Sequence, residues 1–186
     1  MPNAPQPEIR ASRAELIAHM RRLEEELQKV QGRLLSFGGE TLPGVHLVVQ
    51  ANGRRALLSS GRVLEVVRLV ATNPLAGAPT HVRGTFVCRG MPIIAVDLRK
   101  VLGAKTEPGL DAQIVILAGT PAVGLIVDQV PRLVENPKLY EGDVVAGMPE
   151  GWKESRLAAG LCLDGDEVLP VLDPTPIQAE LAGREA

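Results

Sequence analysis

Aromatic residues are nearly missing from this chain of 186 residues: Trp152, Tyr140, Phe37 and Phe86 make up 2% of it. So few stacking platforms argue against a surface for single-stranded nucleic acid or sugars. An excess of either charge is missing too. The 20 Lys and Arg against 22 Asp and Glu leave a formal charge of -2. A protein that coats nucleic acid or an acidic membrane is normally basic, so no nucleic-acid partner is expected. Cysteine is scarce. Cys88 and Cys162 lie far apart, unlike the dense framework of a secreted disulfide scaffold, and both are read as reduced thiols. No apolar run approaches the roughly 18 residues that span a bilayer, and MPNAPQPEIR at the start has no apolar signal region. A cytoplasmic protein without membrane insertion is expected.

Catalytic motifs are absent as well. There is no Walker loop, dinucleotide fingerprint, HExxH or GxSxG. His19, His46 and His81 are scattered; a Cys88/His81 nucleophile pair is conceivable, but nothing in the spacing selects it. Cys88, Cys162 and His81 lack the short ligand spacings of a zinc site. No catalytic residue, metal or cofactor is expected, and a binding module is the favoured class.

What is present falls into three parts. Residues 1–7 are Pro-rich and read as a disordered tip. Over residues 8–37, Leu16, Met20, Leu23, Leu27, Val30 and Leu34 follow one another at spacings of 4, 3, 4, 3 and 4. That is the seam of a heptad-patterned amphipathic helix, which packs on its own domain or pairs with a second copy or a partner's helix. Gly38-Gly39 ends it.

From Gly44 the pattern is that of short strands. Asn52-Gly53 between Val45-His46-Leu47-Val48-Val49 and Ala56-Leu57-Leu58 predicts a tight hairpin, because both turn residues need positive φ. Arg89-Gly90 predicts another, and Asp97 is placed to cap a short helix that Gly103 closes. A polar connector over 105–111 is the expected boundary between two subdomains. The second half repeats the order of hairpin, strand, hairpin and helix, at an offset of about 67 in its first part and about 75 in its last. Short strands at regular spacing fit two small five-stranded β-barrels; one sandwich is the alternative.

Three segments resemble a known family. Val82-Arg83-Gly84 through Arg89-Gly90 to Val96-Asp97-Leu98-Arg99 is similar to the signature of the CheW chemotaxis adaptors. So are Gly124-Leu125-Ile126-Val127-Asp128-Gln129-Val130 and Arg62-Val63-Leu64-Glu65-Val66-Val67. The last hairpin, from Ala159 to Asp173, fits too, so the resemblance covers about residues 44–180, within a domain expected over residues 42–180. Val87-Cys88 stands where the family has Asn-Leu, and Pro92 where its proline comes two positions later.

The resemblance implies a mainly β fold of two five-stranded barrels with short helices, here preceded by the heptad helix. It implies a non-enzymatic adaptor that couples the cytoplasmic tip of chemoreceptors to the regulatory domain of the histidine kinase CheA. Carried over by position, Val63, Glu65, Val66, Arg89, Val130 and Leu133 would face the receptor. The kinase would meet exposed apolar positions at the barrel ends. Gly84, Gly90 and Gly124 are expected to be structural, at bulges or turns. A regulator that has lost one partner surface and uses the helix for another partner is the alternative, as is, from another class, a thiol enzyme built on Cys88.

Overall fold

The computed structural model describes residues 41–183. The expected tip over 1–7 and heptad helix over 8–37, with its candidate partner residues Leu16, Met20, Leu23, Leu27 and Val30, lie outside the described residues.

Local chemistry sets the first elements. Strands β1 (Val45–Ala51) and β2 (Arg54–Ser59) are joined by Asn52 and Gly53 at φ of 53° and 72°, the left-handed pair that matches the twist of a hairpin. A single 3-10 turn, Ser60–Arg62, leads into β3 (Val63–Arg68). β4 (Val82–Cys88) and β5 (Met91–Asp97) close over Arg89 and Gly90, at φ of 49° and 82°. Asp97 then caps the short helix α1 (Leu98–Val101), accepting from the backbone N–H groups of Arg99 and Lys100.

The second half adds β6 (Gln113–Leu117), β7 (Val123–Val127), β8 (Gln129–Glu135), the two-residue β9 (Lys138–Leu139) and the helical turn α2 (Val144–Gly147). It ends with β10 (Ala158–Asp164), β11 (Glu167–Leu172) and α3 (Thr175–Ala182).

These strands form two sheets. The first has the order β8-β1-β2-β11-β10-β9, the second β3-β6-β7-β5-β4. Each has one parallel contact at its centre, β2 with β11 and β5 with β7.

Period-2 alternation sends the side chains of the central strands into different cores. Leu47, Val49, Ala56 and Leu58 of the first sheet join Val115, Leu117, Val123, Leu125 and Val127 of the second in the main cluster between the sheets. The alternate residues Ile114, Ile116 and Ile126 pack with Phe86 and Ile93 on the far face of the second sheet. Val48 and Leu57 pack with Cys162 and Leu169 on the far face of the first. Both faces of the central strands are therefore covered, which is why β7 is buried at every position.

Two expectations are corrected here. The sheets have six strands and five, because β9 adds one to the first. The connector over 105–111 does not divide them, since β3, β4 and β5 before it share a sheet with β6 and β7 after it. The reason is burial. A hairpin such as β6–β7, apolar on both faces, gains most at the middle of a sheet, with strands on either side. Each half of the chain thus lends its first hairpin to the other half's strands. In the repeat order, β1, β2, β3, β4 and β5 correspond to β6, β7, β8, β10 and β11, and that substitution turns the first sheet, less β9, into the second.

Candidate partner-binding surface

The residues expected to face a receptor, apart from Arg89, lie on β3 and β8, which are outer strands of their sheets. The two are equivalent in the repeat, so Val63 corresponds to Val130 and Val66 to Leu133. The structure places these pairs alike. Val63 and Val130 are partly buried and both pack against the main cluster between the sheets. Val66 and Leu133 point outward, 36% and 62% exposed, and Leu64 beside Val66 is 55% exposed. Isolated exposed apolar residues are ordinary; three on two equivalent outer strands are not explained by packing.

Glu65 and Arg89 are brought together. Arg89 donates from Nε to Oε2 of Glu65 at 2.8 Å and from Nη2 to Oε1 at 2.9 Å, a two-point guanidinium–carboxylate pair. The Arg89 side chain is 76% exposed and that of Glu65 is 30% exposed. The hydrogen bond from Arg89, with its charge, holds the Glu65 carboxyl below the usual range, and the Cys88 thiol adds a weak S–H contact at 3.9 Å. Glu65 lies on β3 and Arg89 on the β4–β5 turn, so this pair links opposite edges of the second sheet and requires that sheet to curl. On the equivalent positions of the first sheet, Arg132 of β8 pairs with Asp164 of β10, with the signs reversed.

The glycines differ in their reasons. Gly84 sits at a bulge of β4 with φ of 133°, and a Cβ there would lie 2.1 Å from the carbonyl oxygen of Asn73. Gly90 lies in the β4–β5 turn at φ of 82°. Gly124 is neither turn nor bulge: it lies inside β7, where a Cβ would come within 2.6 Å of Ile114 Cγ2. It is there for close packing.

A second apolar area lies at the end of the β4–β5 hairpin. Val87 is 71% exposed, Met91 45% and Val70 44%. Beside them is an open cavity of about 320 Å³ lined by Val67, Val70, Asn73, Phe86, Val87 and Cys88. Nothing in the sequence marks it, because alternation along β4 does not say which outward residues stay uncovered. Cys88 and His81 have different neighbours: His81 Nε2 lies 3.7 Å from Glu180, and Cys88 meets Glu65.

Residues 46–181 match the family model described as CheW-like domain. The chain belongs to the CheW-like domain family. Among solved structures it is similar to the crystal structure of the scaffolding protein TtCheW from Thermoanaerobacter tengcongensis, with a TM-score of 0.58 and 23% identity over 71% of this chain and 85% of that one. No curated protein matches the chain. In this CheW-like chain the Asp97-Leu98-Arg99 and Val127-Asp128 segments meet. Arg99, 8% exposed, places Nε 2.5 Å from Asp128 Oδ1, and Asp128 Oδ2 accepts from the Asn52 N–H at 2.7 Å. No helix among the described residues is long and apolar enough to cross a membrane.

Proposed function

We propose that this chain is a non-catalytic adaptor of chemosensory signalling, which joins the cytoplasmic tips of chemoreceptors to the regulatory domain of the histidine kinase CheA. The observation that carries this is the CheW-like match across residues 46–181. The surfaces are consistent with it. A receptor tip is a helical hairpin, and a helix in a groove buries apolar anchors at helical spacing. Val63, Val66, Val130 and Leu133 on the two equivalent outer strands supply the apolar side of such a contact. Arg89, held by Glu65 yet mostly exposed, keeps donors for a carboxylate or a helix-end carbonyl. Each curled sheet is read as the small barrel of the family, with the groove between the two. The apolar area around Val87 and Met91 is the candidate kinase contact.

The heptad segment, with Leu16, Met20, Leu23, Leu27 and Val30, is proposed to pair with a second copy or a partner's helix. The working site is the cytoplasm, at receptor arrays. A second reading keeps the receptor surface and loses the kinase surface; Val87, exposed where the family has Asn, favours it.

The test is a titration of the full chain, and of a version beginning at residue 41, against the CheA regulatory domain and against a receptor cytoplasmic hairpin. Micromolar binding of both partners by both versions supports the adaptor. Binding of the receptor hairpin alone supports the second reading, and binding of neither overturns both. Arg89→Ala should weaken receptor binding without moving the thermal midpoint; a large drop in the midpoint would make Arg89 structural.

A further inference from the structure

The chain passes between the two sheets twice among the described residues at the ends of equivalent strands, from β2 to β3 and from β7 to β8. An ion pair sits at each of these crossings. At the first, Arg62 Nη1 lies 3.1 Å from Asp173 Oδ1 and donates to Thr175 Oγ1 at 2.8 Å. Asp173 and Thr175 follow the last strand of the sheet that the chain is leaving. At the second, Asp128 pairs with Arg99 and accepts from Asn52. Arg99 likewise follows the last repeat strand of the sheet being left. The two arrangements stand at corresponding crossings but are displaced by one residue in the repeat, since Arg62 aligns with Gln129, and their charges are reversed: cation at the crossing in one, anion in the other.

Their position matters because of what comes next. Val63 follows Arg62 directly, and Val130 follows Asp128 by two residues. All candidate receptor residues except Arg89 lie on the strands that begin at these crossings. The setting also differs between the two pairs. Arg62 and Asp173 are 38% and 31% exposed, whereas Arg99 is 8% exposed and donates to Thr106 as well. A nearly buried guanidinium that loses its counter-charge is costly, while a half-exposed pair contributes little to global stability.

We infer that Arg62 and Asp128 are positioning residues: they fix the first residues of β3 and β8 against the ends of the two sheets, and thereby set the spacing of the two apolar strands that a receptor helix would meet. This rests on the adaptor reading for its consequence, but not for its geometry. Arg62→Gln and Asp128→Asn remove one charge each and keep hydrogen-bonding capacity. In Asp128→Asn the side-chain amide oxygen can still accept from the Asn52 N–H.

The experiment has two arms on the full chain. Amide hydrogen exchange of residues 63–68 and 129–135 reads the positioning itself. In each variant, exchange should quicken about tenfold in the strand next to the lost pair, with the central strands β6 and β7 unchanged. Titration with a receptor cytoplasmic hairpin reads the consequence: affinity should fall about 5- to 20-fold, a coupling of ordinary size, with the thermal midpoint of Arg62→Gln nearly unmoved. Arg62→Lys should restore most of the affinity. If exchange in β3 and β8 is unaltered, or quickens equally in every strand, the inference fails. If the strands loosen but affinity holds while Leu133→Ala loses it, positioning has no functional role and the adaptor reading stands. If the parent chain binds no receptor hairpin, the adaptor reading fails, and the exchange arm still decides the geometry. Should Asp128→Asn not fold, Arg62→Gln alone decides.

Discussion

Replacing Gly84 by Ala should unfold the protein at a much lower temperature. The new methyl would sit 2.1 Å from the Asn73 carbonyl oxygen and 2.6 Å from its carbon, and both are backbone atoms that cannot rotate away. The residue would also have to hold φ of 133°, a region that costs a side-chain-bearing residue about 1–3 kcal/mol. Relief would require moving Asn73 away from β4. That breaks two hydrogen bonds, Asn73 N to Thr85 O and Thr85 N to Asn73 O, both of 2.8 Å. Each contributes about 0.5–1.5 kcal/mol, so the total loss is about 4 kcal/mol. For a domain of this size that corresponds to a fall of about 8–16 °C in the thermal midpoint. Thermal unfolding followed by Trp152 fluorescence measures it: the chain has one Trp, it is 2% exposed, and it is remote in sequence from the substitution. The displaced segment carries Val70 and Asn73, so alkylation of Cys88 in the same cavity should quicken. A midpoint within about 2 °C of the parent would refute the close-approach argument, since that is under 1 kcal/mol.

Iodoacetamide at mildly alkaline pH should modify Cys88 in the native protein and reach Cys162 only on unfolding, because Cys162 is fully buried and burial pushes its thiol up to about 11; mass spectrometry of the labelled peptides decides this. Burial raises the Asp97 carboxyl above its ordinary value, against hydrogen bonds from Lys100 and Arg99 and the charge of Arg99. The folded state therefore holds that proton better than the unfolded state, and this contribution is lost as pH rises from about 4 through the folded value. Asp97→Asn has no proton to lose, so it should gain stability relative to the parent as pH rises above about 4 in urea titrations; a constant or opposite difference overturns the sign. Removing residues 41–43 as well as the preceding segment should cost about 2–3 kcal/mol, since Leu42 packs on the third cluster and its N–H donates to Pro137 O at 2.7 Å. Comparing urea midpoints of versions beginning at residues 41 and 44 checks it.

The local elements are legible in the sequence because their causes are local. Asn52-Gly53 and Arg89-Gly90 demand turns, Asp97 caps its helix within three residues, and the alternating β3 reads as a strand with one wet face. The strand order is not legible. A parallel contact such as β5 with β7 leaves no mark in either segment, and the two-residue β9 is too short for any pattern. Of the candidate site, Glu65 and Arg89 can be named singly, but that they meet depends on the curl of a whole sheet. Arg62, Asp128 and their partners escape sequence reasoning as a set for the same reason: each is an ordinary polar residue until the exchange of hairpins brings it to its counterpart. Gly124 reads as a bulge or turn in the sequence and proves to be neither. A glycine in a strand signals either a bend or a close neighbour, and only the packing of Ile114 and Ile93 against it separates the two.

The exchange of first hairpins also governs how the chain can acquire its structure during synthesis. The second sheet lacks its centre until β7 has emerged, and the first lacks the second neighbour of β2 until β11 has, near the end of the chain. Neither half encloses a core of its own, so a nascent chain ending near residue 105 exposes β1–β2 and β3 with no partners for their apolar faces. Such long-range pairing folds slowly and leaves the unfinished chain prone to association. The same dependence makes the halves complementary: fragments divided within 105–111, each insoluble or unstructured alone, should assemble when mixed into the fold of the uncut chain.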